Sequence, residues 1–305
     1  MDTNTPLRHT TLQVRGRLLD LTDQPIVMGI LNHTPDSFYP GSRIQGTLQI
    51  HDRIEQILSE GAEIIDVGGY STRPDAEEVT PEEEWRRLRE VLTAIREVHS
   101  EAIVSVDTFR ADVARLCVEE GGADIINDVS GGLIDERMAE TVAHLQVPYI
   151  LMHMRGTPKT MQSLCRYDGR VADTVLREML HRVSIVKDLG LKDENIILDP
   201  GFGFSKTLEQ NYELMADLYK FVALGYPLLV GISRKSMLYR LLGGTPQEML
   251  NGTTVLDTYA LLEGAHIIRV HDVRQAVEAV RIVREIRTHA QAESPMSVIG
   301  SDTMP

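Results

Sequence analysis

Ile26-Val27-Met28-Gly29-Ile30-Leu31-Asn32 is an apolar run that stops at a polar residue, and its form recurs along the chain. Counterparts are Ala62 to Val67 ending at Gly68-Gly69, Ala102 to Val106 at Asp107, Ala123 to Ile126 at Asn127-Asp128, and Val147 to Met152 at His153. Asn195 to Leu198 then ends at Asp199, Pro227 to Ile232 at Ser233-Arg234-Lys235, and Ala265 to Ile268 at Arg269-Val270-His271-Asp272. A strand buried on both faces reads as a continuous apolar run, as in parallel sheets covered by helices. Eight such runs separated by helical stretches predict an α/β fold, a closed (β/α)8 TIM barrel. In such barrels the site lies at the C-terminal strand ends, so the differing polar tips converge on one mouth.

Composition agrees with one globular core. A barrel of about 250 residues takes up most of the 305 in one piece. With 31 Lys and Arg against 45 Asp and Glu the formal charge is −14, and no basic run offsets it, which argues against nucleic acid or an anionic membrane as partner. Acidic stretches such as Asp75 to Glu78 and Glu82 to Glu84 read as solvated surface. Cys117 and Cys165 form no Cys-x-x-Cys spacing, which suits a reducing cytoplasm. Met1 to Thr11 lacks a signal-peptide core, and no run approaches the roughly 18 residues of a membrane span.

Residues 1–25 read as an N-terminal segment with a hairpin, Thr11 to Leu21 alternating about Gly16, that caps the barrel floor. The barrel spans 26–289, and the polar stretch 290–305 reads as a frayed tail. Helices are predicted near Leu48 to Glu60, from Pro81 onward, and over Arg110 to Glu119, Asp135 to Leu145 and Val171 to Leu189. Further ones fall at Leu208 to Tyr219, Thr245 to Leu262 and Val273 to Thr288, with a short extra helix within Leu238 to Asn251. Thr80 with Glu83, and Pro81 between them, form a capping-box start signal.

Two chemistries separate among the strand tips. Asp107, Asn127 and Asp199 offer acceptors and an amide, and Lys235 a donor, a set matched to the edge of a planar nitrogen heterocycle. Arg269 and His271 alternate along the last strand and so share a face; with Asn32 and Thr72 they suit a phosphate, with a divalent cation held through Asn32 and phosphate oxygens. Singly, each residue has a plainer reading. Asp107 and Asp199 are also plausible helix caps, and His153 reads as a core histidine satisfied by backbone. Lys235 stands at a helix start, where a cation opposes the dipole.

Seven motifs lie in one register: Leu31 to Phe38, Gly68 to Pro74, Asn127 to Gly132, Met152 to Gly156, Asp199 to Lys206, Ser233 to Ser236 and Arg269 to Asp272. Together they resemble the dihydropteroate synthase family, from the first barrel strand to the last helix. The resemblance implies condensation of 6-hydroxymethyl-7,8-dihydropterin diphosphate with 4-aminobenzoate, giving 7,8-dihydropteroate and diphosphate. It implies that Asp107, Asn127, Met154, Asp199 and Lys235 bind the pterin, with Asp107, Asp199 and Lys235 acting in catalysis. Asn32, Thr72, Arg269 and His271 are implied for the diphosphate, with Mg²⁺ at Asn32. Thr72, Arg73, Pro74, Phe204 and Ser236 are implied for the aminobenzoate, which makes the chain a candidate sulfonamide target. Loops at Asn32 to Ile44 and Tyr70 to Val79 are expected to order with ligands. Met249, Leu256, Leu261 and Leu262 are expected to form a homodimer face. His33, Tyr39-Pro40, Tyr70 and Asp75 depart from the family's usual residues while sparing these ligands.

Rival readings fit less well. A metal-dependent hydrolase wants His-x-His at the first strand, where this chain has Asn32-His33. A pterin-binding methyltransferase lacks the Arg269 and His271 pair. A catalytically silent pterin-binding paralogue loses loop residues such as Asn32, Thr72 and Arg73, all present here.

Overall fold

The computed structural model describes residues 10–33, 43–70 and 78–292. Strands β1 (Thr11–Val14) and β2 (Arg17–Asp20) pair antiparallel around Arg15 and Gly16, both at positive φ, as the tight hairpin turn demands. The barrel follows as β3 (Ile26–Asn32), α1 (Arg43–Ser59), β4 (Ile64–Gly68), α2 (Pro81–Val98), β5 (Ile103–Asp107), α3 (Ala111–Glu119) and β6 (Ile125–Asp128). It continues with α4 (Met138–Leu145), β7 (Tyr149–Met152), α5 (Val171–Asp188), β8 (Ile196–Asp199), α6 (Leu208–Ala216) and α7 (Tyr219–Val222). The last elements are β9 (Leu229–Val230), α8 (Ser236–Leu242), α9 (Leu250–Leu262), β10 (Ile267–Val270) and α10 (Val273–Ala292).

The eight barrel strands are parallel, in the order β8-β7-β6-β5-β4-β3-β10-β9. A parallel bridge from Leu198 to Leu228, with the Leu198 amide donating to Pro227 at 2.9 Å, brings the two edges together. Side chains alternate across each strand. One set, Ile26, Met28, Ile64, Ile103, Ile125, Ile150, Ile197, Leu229 and Ile267, fills the barrel floor beneath which the hairpin seals Leu12, Val14 and Leu21. The other set, including Val27, Val67, Val104, Leu151, Leu198, Val230 and Ile268, meets the helices. Two residues above the floor the inward positions turn polar at Asp66, Ser105, Asn127, Asp199 and Arg269. The next inward positions on their strands carry Asn32 and Asp107.

Several expected boundaries move. The seventh barrel strand shrinks to Leu229–Val230; at its start Pro227 has no N–H for the ladder and the Leu228 amide donates to His266 Nδ1 at 3.0 Å. The helix expected over Leu208 to Tyr219 breaks at Asp217, whose carboxylate Arg170 holds at 2.6 Å, so α6 and α7 are separate. The extra helix begins earlier, at Ser236, and Gly243-Gly244 end it; a 3-10 turn, Pro246–Glu248, precedes α9. The helix α10 runs to Ala292, into the stretch expected to fray. Thr80 caps α2 by accepting from the Glu83 amide (3.3 Å), but the Glu83 side chain turns to Arg86 and Arg87, so only half of the capping box forms. Among the described residues no helix is long and apolar enough to cross a membrane.

Leu12 has no exposure and its side chain closes the floor. Leu12→Ala is expected to lower stability by about 2–5 kcal/mol, read as a lower urea midpoint at unchanged slope.

Candidate active site

The centre of the mouth is an ion network. Asp66 projects inward from β4 with no exposure, in a strand otherwise apolar, and so needs a charged partner. Arg269 of β10 reaches past β3 to supply it: its Nε donates to Asp66 Oδ2 at 2.7 Å and its Nη2 to Asp107 Oδ2 at 2.9 Å. Asn127 adds weak contacts from Nδ2 to Asp66 at 3.3 and 3.4 Å. Burial raises the Asp107 carboxyl to about 7 despite the Arg269 charge, with Asp66, Glu84 and Asp128 adding to the rise. Burial likewise works to lower Arg269, but Asp66 and Asp107 hold it above its ordinary value.

Asp199 and Lys235 lie on the other side. Asp199 Oδ1 accepts from the Gly201 amide at 2.8 Å, closing a tight turn, and burial raises its carboxyl against the pull of Lys235. Gly201 is at φ 72°, and a Cβ there would lie 2.0 Å from the His153 carbonyl, so only glycine fits. Neither aspartate caps a helix: α3 begins after Arg110 and α6 after Thr207. Lys235 precedes α8, makes no side-chain cap, and sends Nζ to the Phe202 carbonyl (2.6 Å), 4.8 Å from the Phe204 ring centroid. Burial lowers it to about 8. Met154 is buried with Val129, Met152 and Met161, against which Phe109, Ile134 and Phe204 pack. Ser236 opens α8 beside Lys235.

The loops after β9 and β10 are zipped together. Ser233 Oγ accepts from the His271 amide (3.1 Å) and meets His271 Nδ1 at 3.0 Å, while Arg234 grips Asp272 through two bonds of 2.9 and 2.6 Å. Thr253 Oγ1 accepts from the Arg234 amide at 3.1 Å, and Arg53 donates to the carbonyls of His271 (2.8 Å) and Ile30 (3.2 Å). Burial, with Arg269 and Arg234 nearby, lowers His271 to about 4, so it is a neutral hydrogen-bonding group rather than a cation near pH 7. Asn32 ends β3, exposed and in register with Gly68.

Of the residues named from sequence, Asp107, Asn127 and Arg269 therefore join one network, and Asp199, Lys235 and Phe204 a second cluster. Thr72, Arg73 and Pro74, with most of both loops, lie outside the described residues. The expected heterocycle group and anion group touch, since Arg269 bonds to Asp107. Three residues escaped the sequence reading. Asp66 was hidden in an apolar run, although an acid two positions before Gly68 is a signal. Asp128 anchors its loop by accepting from Ser130 N and Oγ (both 2.8 Å), Gly132 N (2.7 Å) and Tyr149 Oη (2.8 Å). Lys206 is buried among carbonyls. His153 is a core histidine as expected, but its ring is satisfied by Lys206 and Glu178 side chains rather than by backbone.

A sequence profile of the family described as pterin binding enzyme matches residues 28–271. The dihydropteroate synthase of Escherichia coli (strain K12) is 44% identical over 272 residues, 89% of this chain and 95% of that one. Among solved structures, the Yersinia pestis dihydropteroate synthase with sulfonamide drug complex matches with a TM-score of 0.83 at 41% identity, covering 92% of this chain and 99% of that one. The Xanthomonas albilineans dihydropteroate synthase with 4-aminobenzoic acid matches with a TM-score of 0.82 at 36% identity, covering 94% and 100%.

Asp107 is an acid whose folded value lies above its ordinary 3.8, so the folded chain takes up a proton between about pH 4 and 7. The stability from the neutral carboxyl is complete below that window and is lost as pH rises through about 7. In urea titrations from pH 5 to 8, Asp107→Asn should flatten the decline of stability by up to about one proton per molecule. Equal slopes in the two proteins would contradict this assignment.

Proposed function

The chain belongs to the dihydropteroate synthase family of pterin binding enzymes, and on that premise we propose that Asp107, Asn127, Asp199 and Lys235 hold the pterin of its first substrate. The reaction is a transferase step of folate synthesis, in which 6-hydroxymethyl-7,8-dihydropterin diphosphate and 4-aminobenzoate give 7,8-dihydropteroate and diphosphate. One observation carries the assignment of roles: two carboxylates, an amide and an ammonium, carried at or just after the ends of four different strands, gather around one guanidinium in the mouth.

N–H donors on the heterocycle edge would replace the water that Asp107 has lost, and such bonds favour the ionised carboxylate. Lys235, already aimed at the pocket wall, donates to a ring carbonyl or ring nitrogen, and Met154 lines the face. When the bond from the exocyclic methylene carbon to the diphosphate oxygen breaks, the electron pair leaves with diphosphate and positive charge spreads into the dihydropterin. Asp107 and Asp199 lie where that charge is stabilised. The amine nitrogen of 4-aminobenzoate then bonds to the methylene carbon and loses its extra proton to solvent or product. An aryl amine is nucleophilic as it stands, so no base is required of the protein.

Arg269 borders both halves of the site, and with Asn32, Thr72 and His271 it is read as the diphosphate subsite. His271 serves there as a neutral donor. The donors suit Mg²⁺: Asn32 is exposed, its Oδ1 lies 3.0 Å from where a Cβ on Gly68 would stand, and glycine keeps that space open. No three His, Cys, Asp or Glu side chains converge among the described residues, so Asn32 would hold the ion together with diphosphate oxygens and water, as Mg²⁺ prefers. When bound it neutralises charge on the leaving group. Phe204 and Ser236 flank Lys235 and are read as the aminobenzoate side, with Thr72, Arg73 and Pro74 assigned there by motif.

The protein is read as a cytoplasmic homodimer. Cys117 and Cys165 are free thiols. The expected dimer face needs revision, because Met249 and Leu261 are buried within the subunit. Val255, Tyr259 and Leu262 on α9 and Ile282 and Ile286 on α10 form the exposed apolar face instead, at the three- and four-residue spacing of one helix side.

Purified protein with dihydropterin diphosphate, Mg²⁺ and 4-aminobenzoate should form dihydropteroate, and Asp199→Ala or Lys235→Ala should slow it by about 100-fold or more. Product formation at an undiminished rate in either variant would overturn these roles. Val255→Asp combined with Ile282→Asp is expected to turn a dimer into a monomer in sedimentation equilibrium.

A further inference from the structure

We infer that Lys206 is a positioning residue for the aminobenzoate side of the site, a buried ammonium that clamps the loop after β8 onto the end of β7. The inference rests on Phe204 taking part in that subsite. Lys206 is 3% exposed. Its Nζ reaches the Gly201 carbonyl at 2.9 Å, the Phe204 carbonyl at 3.0 Å and His153 Nδ1 at 3.2 Å.

The direction of these bonds follows from charge. Burial works to raise Glu178, but hydrogen bonds from His153 and Arg155 hold it down at about 2, so it is a carboxylate. His153, lowered by burial to about 4, is a neutral ring. The Glu178 carboxylate, 2.9 Å from His153 Nε2, accepts its proton and leaves Nδ1 as an acceptor. Lys206 therefore donates to three acceptors, the full capacity of an ammonium. These contacts offset a desolvation that pulls its value down to about 7.

What the clamp holds is the site itself. The Gly201 amide carries Asp199 Oδ1 at 2.8 Å, and Phe204 places its ring 4.8 Å from Lys235 Nζ. His153 stands between Met152 and Met154 and donates its amide to the Asp199 carbonyl at 2.9 Å. Ser205, at φ 49°, is pinned by the Arg155 amide on its Oγ (3.1 Å) and by the Tyr167 hydroxyl on its carbonyl (3.1 Å). Asp199 has two further restraints, Gly201 and β8, whereas Phe204 is held by its amide on the Gly201 carbonyl (3.2 Å), itself an acceptor of Lys206, and by Lys206 and Ser205 Oγ (2.8 Å) on its own carbonyl. Loss of the ammonium should thus move Phe204 more than Asp199.

The test compares Lys206→Met, Lys206→Gln and Phe204→Ala by steady-state kinetics against both substrates. Lys206→Met is expected to raise the KM for 4-aminobenzoate about tenfold while the KM for dihydropterin diphosphate changes less than about threefold. Lys206→Gln, which keeps two N–H donors but no charge, should fall between Lys206→Met and wild type. A merely structural role would lower kcat through loss of active protein and leave both KM values in place, and that result overturns the inference. If Phe204→Ala leaves the KM for 4-aminobenzoate unchanged, the subsite reading fails and the clamp's role with it. Should the Lys206 variants not fold, ¹⁵N NMR of the wild-type histidines decides: His153 must carry its proton on Nε2, and a proton on Nδ1 would refute the donor assignment of Lys206.

Discussion

Asp66 is the constraint on which the mouth depends. A carboxylate with no exposure in the middle of a barrel costs several kcal/mol unless an opposite charge reaches it, and the answer is a guanidinium far away in sequence but only one strand beyond β3 in the sheet, Arg269 on β10. That pairing carries Arg269 past β3 and leaves the other arm of its fork at Asp107 on β5. One guanidinium thus fixes the level at which the β4, β5, β6 and β10 ends meet. The same cation stands between the carboxylate read as holding the heterocycle and the tip read as receiving the diphosphate.

Around this centre the loops are held by pairs of bonds between neighbours rather than by long-range packing. Ser233 with His271 and Arg234 with Asp272 join the ends of β9 and β10, and Arg53 ties the second of these to β3. Lys206 and His153 join β7 to β8. A two-substrate site needs this rigidity, because the amine must meet the methylene carbon within bonding reach while the pterin stays fixed. The apolar floor below, sealed by Leu12, Val14 and Leu21, supplies a platform that none of the polar groups has to stabilise.

The architecture was legible because parallel strands covered on both faces advertise themselves. Each of the eight runs became a strand, and the hairpin formed at the glycine where alternation changed sides. The boundaries that moved did so for local reasons invisible to periodicity: a proline without an N–H at Pro227, a carboxylate captured by Arg170 at Asp217, a glycine pair after Leu242. Asp107, Asn127, Asp199 and Lys235 were legible as strand tips. Asp66 and Lys206 were not, because a single charge inside an apolar run or a loop carries no sign of which distant group will pair with it.

Periodicity and tip chemistry by themselves determined the barrel and its polar end, since these depend on patterns repeated along the chain, and the resemblance of seven motifs kept in order gave the family. Only the tertiary structure decided how the tips combine. Arg269 bonds to Asp107, burial lowers His271 to about 4, and the exposed apolar face runs through Val255 and Ile282 rather than Met249 and Leu261. The physical reason is burial: the charge state of a group and the partner it finds depend on the water it has lost, and that is set by residues far away in sequence.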